Sequence, residues 1–292
     1  MPWEPMRRSL YSAATLQAAG AGPRSACSAD ALGAGRPIHD LPAPTPYGPF
    51  LVTTVGNDKF INDFQIAHHP TSGTSALVWR ENPVSGDDGT SWIQTLQSGA
   101  SLATAPVKLF AETSARVDDV VAGGSTTGWV VIGGVGGSMT LQRLNADGSP
   151  SDDPLSLDPG QPTFVGRVAA DTSNETIIAV WTRTVESGYQ MMAARLTGRG
   201  DALLVGPVVL QTAPAGTGLG VEEVAVNPIT GQPAVLTQSG ALVGDAISST
   251  RRSTLLVDGD LMVTDSASTT PGNGEPVAFS QSTAAYTAAG PC

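Results

Sequence analysis

The sequence predicts an all-β protein, a β-propeller of five four-stranded blades with one blade shared between the N- and C-terminal segments. The first observation is a repeat, because alanines at equivalent places in its copies, Ala67, Ala122, Ala169 and Ala225, are 55, 47 and 56 residues apart. The second is that each copy contains short apolar segments separated by Gly, Pro, Asp, Asn and Ser, which favour turns. The third is that no stretch has sustained helical periodicity. A regular self-similar period indicates a repeat array.

The third copy is the clearest. Its four apolar segments are residues 168–171, 177–181, 191–196 and 205–210. The second of these segments is apolar without interruption, as expected of a strand that is buried on both faces. Four short strands per unit at this spacing are typical of one blade of a propeller, in which the sheets stack face to face around an axis.

The other three copies repeat this order of segments. The corresponding residues are 66–70, 76–79, 92–96 and 106–109 in the first copy, 120–122, 129–132, 141–148 and 154–157 in the second, and 224–228, 234–236 and 254–259 in the fourth.

The two ends of the chain supply the parts of a fifth copy. Residues 276–279 and 284–287 have the pattern of its first two strands, and Ala278 follows Ala225 by 53 residues. Residues 47–54 resemble residues 205–212, which belong to the outer part of the third copy. Both ends together therefore predict a shared blade, which would remove exposed sheet edges. The alternative is that the chain is a piece of a larger array.

Composition limits the classes of partner. Only 14% of the residues are charged, and the net charge of -11 argues against nucleic acid, whose partners carry basic stripes. No apolar run is long enough for a membrane-spanning helix. Residues 1–37 are predicted to be a disordered leader or a weak export signal, since Arg7 and Arg8 precede an Ala- and Gly-rich stretch. Residues 38–292 are predicted to be a single propeller domain.

The chain has two cysteines, Cys27 and Cys292, at opposite ends. A shared blade would bring the termini together, so a disulfide between them is geometrically possible and would indicate an oxidising compartment. The alternative is two unrelated thiols.

Charged residues gather at the starts of the first strands of the copies, and they form the candidate site. They are Asp63, Asp118, Asp119, Arg167, Glu222 and Glu223. Because the innermost strands of a propeller line its central channel, we expect these side chains to meet at one mouth of it. Converging carboxylates bind calcium through oxygen ligands, or act as acid and base in glycoside hydrolysis. The plain alternative is that they only solvate the strand starts.

Four tryptophans are candidates for packing or for binding. Trp79 and Trp181 occupy equivalent places in the repeat, which predicts packing between blades. Trp92 and Trp129 break this equivalence and are candidates for partial exposure and for stacking on a sugar.

The repeat resembles that of the propeller proteins found on bacterial cell surfaces and in bacterial secretions. The residues that carry the resemblance are Ala76-Leu77-Val78-Trp79, Ala179-Val180-Trp181 and Gln142-Arg143-Leu144-Asn145-Ala146-Asp147-Gly148. Leu236 in the fourth copy and Ile132-Gly133 in the second depart from the pattern. The resemblance implies a propeller at the cell surface or outside the cell, and it brings no common activity.

The leading functional prediction is a non-enzymatic extracellular or surface module for binding or scaffolding, with a carbohydrate or protein ligand held by loops on a rigid frame. The first alternative is a five-bladed glycoside hydrolase that uses the inner-strand carboxylates. The second is a structural component of a particle or appendage. A fold of this class hosts many functions, so the site has to decide between them.

Overall fold

The structure is a computed structural model that describes most of the chain between residues 58 and 269. The short gaps within this range are residues 71, 85–88, 98–103, 112–114, 124–127, 173, 228 and 244–245. Within the described residues the regular elements are β-strands, and no helix there has the length and apolarity needed to cross a bilayer.

Several predictions concern residues outside the described part of the chain. These are the leader at residues 1–37, the terminal segments 47–54, 276–279 and 284–287 of the shared blade, and the pair Cys27 and Cys292.

The described strands form four antiparallel sheets, each with four strands in sequence order. Blade 1 contains β1 (Lys59–His68), β2 (Ser75–Pro83), β3 (Thr90–Leu96) and β4 (Val107–Leu109). Blade 2 contains β5 (Arg116–Ala122), β6 (Trp129–Val135), β7 (Ser138–Leu144) and β8 (Leu155–Ser156). Blade 3 contains β9 (Thr163–Asp171), β10 (Thr176–Val185), β11 (Gly188–Thr197) and β12 (Leu203–Pro214). Blade 4 contains β13 (Thr217–Val226), β14 (Pro233–Val243), β15 (Ala246–Val257) and β16 (Val263–Thr269).

The first strands of consecutive blades lie against one another. Strand β1 contacts β5, β5 contacts β9, and β9 contacts β13, while the later strands of each sheet follow outward in order. This arrangement, with the first strand innermost in every sheet, is that of consecutive propeller blades. The prediction of an all-β propeller with four-stranded blades is confirmed, and the predicted fifth blade falls on residues that the structure does not describe.

The core is divided into three apolar clusters, one between each pair of consecutive blades. Strand β10 shows why its sequence is apolar throughout. Ile177 and Trp181 face blade 2, whereas Ile178 and Val180 face blade 4, so both sides of the strand are buried. Full burial of one such side chain stabilises the fold by about 1.5–3 kcal/mol.

The burial of the tryptophans differs from the prediction at one position. Trp79 and Trp181 are buried as expected, but the predicted partial exposure is wrong for Trp129, which is 1% exposed. Its indole lies in the cluster between blades 1 and 2, meets the edge of His69 at a centroid distance of 5.8 Å, and donates to the Ala146 carbonyl at 3.4 Å. Trp129 begins its strand, and an aromatic ring there still reaches the interface between blades. Trp92 is intermediate in exposure.

Candidate functional site

Two of the predicted acidic residues lie at β-bulges in inner strands. In β5, Val117 pairs with Gly133 and Asp119 pairs with Ile132, so that Asp118 is the extra residue. In β13 the register shifts in the same way between Val221 and Glu223, at Glu222. A bulge redirects the side chains of a strand. Consecutive acidic residues can therefore both reach neighbouring groups, whereas a regular strand would send them to opposite faces.

The register of β1 shifts similarly between Asn62 and Phe64, which places Asp63 at the irregularity. The side chain of Asp63 is outside the described part of the structure, so its predicted role stays a prediction.

Asp118 is a buried ion-pair partner. Arg116 donates to it through Nε and, at 3.1 Å, through Nη2, and the Gly166 amide of β9 donates to its Oδ2 at 3.0 Å. Arg116 also donates to the Phe164 carbonyl. Burial raises the pKa of Asp118 above its usual value, and the Arg116 guanidinium opposes this effect. The carboxylate thereby joins blade 2 to blade 3.

Asp119 makes a second connection between the same two blades. Its Oδ1 accepts the Val120 amide at 2.8 Å, and its Oδ2 accepts the Val168 amide of β9 at 3.0 Å. Burial raises the pKa of Asp119 to about 7. The two amides and Arg167 oppose this shift, while the negative charge of Glu223 adds to it.

Arg167 lies on β9 between the acidic residues of β5 and β13. Its Nε donates to the Glu222 carbonyl at 2.9 Å, and its Nη1 donates to the Asp118 and Gly166 carbonyls at 3.0 Å each. One planar guanidinium thus connects the inner strands of three consecutive blades, because its donors point in fixed and different directions.

The two glutamates of β13 have separate environments. The Glu222 carboxylate pairs with Arg252 of β15, at 3.1 Å from Nε to Oε1 and 2.9 Å to Oε2. Glu223 is half-buried, and burial raises the pKa of its carboxyl while Arg167 and the Val224 amide lower it. The negative charge of Glu223 also raises the pKa of Asp119, whereas the Arg167 guanidinium lowers the pKa of both carboxyls.

The structure brings together five of the six predicted site residues. They are Asp118, Asp119, Arg167, Glu222 and Glu223. Their arrangement is that of a hydrogen-bonded connection between blades, in which main-chain amides occupy oxygens of both aspartates. Among the residues that the structure describes, no group of three or more His, Cys, Asp or Glu could hold a metal ion.

Sequence reasoning missed Arg116 and Gly166. Arg116 stands two residues before Asp118, a spacing that places two side chains on one side of a strand, and this was the available signal. Gly166 had no such signal, because its role depends on contact with a strand 48 residues earlier.

A separate cavity of about 220 Å³ lies beside the turn between β7 and β8. Its lining includes Arg143, Asn145, Asp152 and Arg199. Arg143 pairs with Asp152 and lies 3.5 Å from Asp201 of blade 3, so guanidinium donors and carboxylate acceptors stand side by side here.

No protein-family model matches this sequence, and a search of curated proteins finds no match. Similar solved structures include an exo-β-1,3-galactanase from Phanerochaete chrysosporium, with a TM-score of 0.46 and 10% identity over 74% of this chain and 51% of that one. A GH43 endo-arabinanase from Bacillus licheniformis has a TM-score of 0.44 and 11% identity over 68% and 75% of the two chains.

An ancestral GH74 enzyme has a TM-score of 0.38 and 13% identity. The match covers 70% of this chain but only 27% of that enzyme. The fold and the site together define a β-propeller chain whose inner strands are joined by buried charged side chains, and its function has to be argued from those side chains.

Proposed function

We propose that this chain is a non-enzymatic β-propeller that binds a ligand or serves as a scaffold, at the cell surface or outside the cell. The observation that supports this function is the use of the inner-strand charges. Asp118 and Asp119 accept amides of the next blade, and Arg167 donates to carbonyls of both neighbouring blades. A general acid or base has to reach a proton of the substrate. Carboxylates and a guanidinium that are held by main-chain partners in this way stabilise the packing of one blade on the next instead.

The location outside the cell rests on the resemblance of the repeat to bacterial secreted and surface propellers. The segment Ala179-Val180-Trp181 carries that resemblance, and it lies at the centre of blade 3. A rigid frame of this kind presents its connecting loops as the recognition surface.

The cavity beside the β7–β8 turn is the place where we expect the ligand. Arg199 and Asn145 are exposed there, and Asp152 supplies carboxylate oxygens. Donors and acceptors in close alternation suit the hydroxyl groups of a carbohydrate, each of which both donates and accepts. A carbohydrate is therefore the ligand class that this cavity favours over an apolar one.

The test combines retention on immobilised polysaccharides with an assay for released reducing sugar. We expect retention without release, and we expect Arg199→Ala and Asn145→Ala to weaken retention. The matched control is Arg251→Ala, which removes an exposed arginine from the outer part of blade 4. Equal weakening by all three variants would point to nonspecific charge effects, and release of sugar by the wild-type protein would contradict the proposal.

One observation favours the hydrolase alternative. Burial raises the pKa of both the Asp119 and the Glu223 carboxyl, that of Asp119 to about 7, and a raised carboxyl pKa is what a general acid requires. Glycoside hydrolases use such a carboxyl together with an ionised one. Under this alternative the wild type releases sugar, Glu223→Gln abolishes release, and both proteins keep the same thermal stability.

A further inference from the structure

The cavity beside the β7–β8 turn is locally positive in an acidic chain. Its lining contains two arginines, Arg143 and Arg199, against one acidic side chain, that of Asp152. The whole chain has a net charge of -11, so its overall field repels anions. A cavity with an excess of positive charge in such a chain is therefore suited to a negatively charged ligand.

The charge of Arg143 is matched within the protein. Its guanidinium pairs with Asp152 of the β7–β8 turn and lies 3.5 Å from Asp201 of blade 3. Asp201 also accepts the Thr197 hydroxyl, and Asp152 also accepts the Ser151 hydroxyl at 3.0 Å. The two carboxylates thus direct their oxygens at Arg143 and at neighbouring hydroxyls.

Arg199 has no such match. It is exposed, and among the residues that the structure describes it forms no ion pair with a carboxylate. The pKa of the nearby Asp201 is lowered mainly by the Thr197 hydroxyl, and the two arginines add to this effect. Both oxygens of Asp201 already accept donors, one from Thr197 and the other from Arg143. The Arg199 guanidinium is therefore available to a ligand.

Arg199 is held beside the cavity by a tight turn between β11 and β12. The Gly200 amide donates to the Thr197 carbonyl at 2.8 Å, and Gly200 has a φ of 70°. A Cβ at Gly200 would lie 3.0 Å from Leu141 and 3.3 Å from Val130, both of blade 2. Because Val130 also lines the cavity, the main chain of the turn packs directly against the cavity wall. The position of Arg199 is therefore fixed by the backbone.

We propose that the ligand of this cavity is an acidic carbohydrate whose carboxylate or sulfate group binds the Arg199 guanidinium. This inference rests on the proposed function and names the ligand class within it. A planar guanidinium offers paired N–H donors that match two oxygens of such a group. Asn145 and Asp152 line the same cavity and provide amide and carboxylate groups for the sugar hydroxyls. A neutral sugar would leave the charge of Arg199 without a partner.

The experiment measures, by titration calorimetry, the dissociation constants of the full chain for short oligomers of galacturonate, mannuronate and glucuronate. Each oligomer is compared with the same oligomer after its carboxyl groups have been reduced to primary alcohols. The two forms differ only in the anionic group, and we expect the acidic form to bind about three- to tenfold more tightly. Sulfated and unsulfated dextran oligomers form a second comparison, which shows whether carboxylate or sulfate is preferred.

Variants of Arg199 test which group causes this preference. Arg199→Gln should abolish it, because the glutamine amide carries no charge. Arg199→Lys should keep part of it, since the charge remains without the planar fork. Arg251→Gln is the matched control, because it removes an exposed arginine from blade 4 and changes the net charge of the chain equally. The control should keep the full preference for the acidic oligomers.

Three results would overturn this inference while leaving the proposed function intact. The first is equal or tighter binding of the neutral forms. The second is an equal loss of the preference in Arg199→Gln and Arg251→Gln, which would attribute the preference to the overall charge. The third is an unchanged preference in Arg199→Gln, which would place the anionic group elsewhere. Binding of none of the oligomers, or release of sugar from any of them, would instead contradict the proposed function itself.

Discussion

Asp119 of β5 accepts the main-chain amide of Val168 of β9 at 3.0 Å, so a buried carboxylate connects the inner strands of two blades. Burial and hydrogen bonding act in opposite directions on this group. Loss of water favours the protonated form, whereas two amide donors and Arg167 favour the ionised form. The balance raises the pKa of Asp119 to about 7, which makes this contact sensitive to pH near neutrality.

The first prediction is that stability falls between about pH 4 and pH 7. An unfolded aspartate titrates near 3.8, and folded Asp119 near 7, so the folded state holds the extra proton in this range. Stability is therefore highest below the unfolded pKa and decreases as the pH rises through the folded one. The shift corresponds to roughly 4 kcal/mol at most. Asp118 and Glu223 shift in the same direction.

Thermal melting of the wild type and of Asp119→Asn across this pH range measures the effect. The variant should show a smaller change in Tm than the wild type. Asp153→Asn, which removes an exposed negative charge, controls for the overall acidity of the chain and should keep the wild-type dependence. Parallel pH profiles for all three proteins would show that Asp119 does not titrate in this range.

The second prediction concerns Arg167, whose guanidinium donates to the carbonyls of Asp118, Gly166 and Glu222. Arg167→Met should lower the free energy of unfolding by roughly 2–4 kcal/mol, because hydrogen bonds to charged groups each contribute more than neutral ones. Arg167→Lys should recover little of this loss, since an ammonium group cannot reproduce the planar fork.

Urea unfolding gives these free energies directly. Arg251→Met is the matched control on an exposed part of β15, and its free energy of unfolding should stay within about 0.5 kcal/mol of the wild type. Full recovery by Arg167→Lys would mean that charge alone, without the directed donors, stabilises the inner strands.

Local sequence patterns were sufficient to predict the sheets. The run Ile177–Trp181 is apolar throughout because its side chains alternate between two interfaces, and a run of this kind indicates a strand that is covered on both sides. The repeat also predicted that the acidic residues would lie on inner strands. These inferences depend only on the order of residues within one copy.

The chemistry of the site depended on contacts between copies, which the order of residues does not contain. Asp118 and Asp119 are adjacent acids, a pattern that usually indicates exposure, yet both are buried. Their carboxylates accept hydrogen bonds from main-chain amides that lie 48 and 49 residues further along the chain. The bulge at Asp118 was also hidden, because one additional residue changes the register without changing the apolar pattern.

The third prediction tests how closely β9 packs against blade 2 at Gly166. A Cβ there would lie 2.9 Å from the Met139 sulfur and 3.0 Å from Ile132 Cδ1, in a region where both side chains are buried. Gly166→Ala should therefore lower stability by roughly 1–3 kcal/mol through overpacking. It should also disturb the amide that donates to Asp118.

Gly259→Ala is the control for this substitution. No atom lies within 4 Å of its added Cβ, and its backbone is not in the left-handed region. Chemical denaturation of both variants should show a loss for Gly166→Ala alone. Equal stability of the two variants would mean that β9 and β6 have room to separate at this point.

The fourth prediction concerns the buried carboxylate of Asp158, which follows β8. It accepts the indole N–H of Trp181 at 3.0 Å and pairs with Arg183 at 3.1 Å, so it fixes the start of the interface between blades 2 and 3. Asp158→Ala leaves a buried indole donor and a half-buried guanidinium without this acceptor, and the expected loss is about 3–5 kcal/mol. Asp158→Asn retains one acceptor oxygen and should lose less stability.

Tryptophan fluorescence during denaturation measures the free energy of unfolding of both variants, with Asp260→Ala in the exposed β15–β16 turn as the control. A loss for Asp158→Ala no greater than that of the control would mean that Trp181 is held by apolar packing alone.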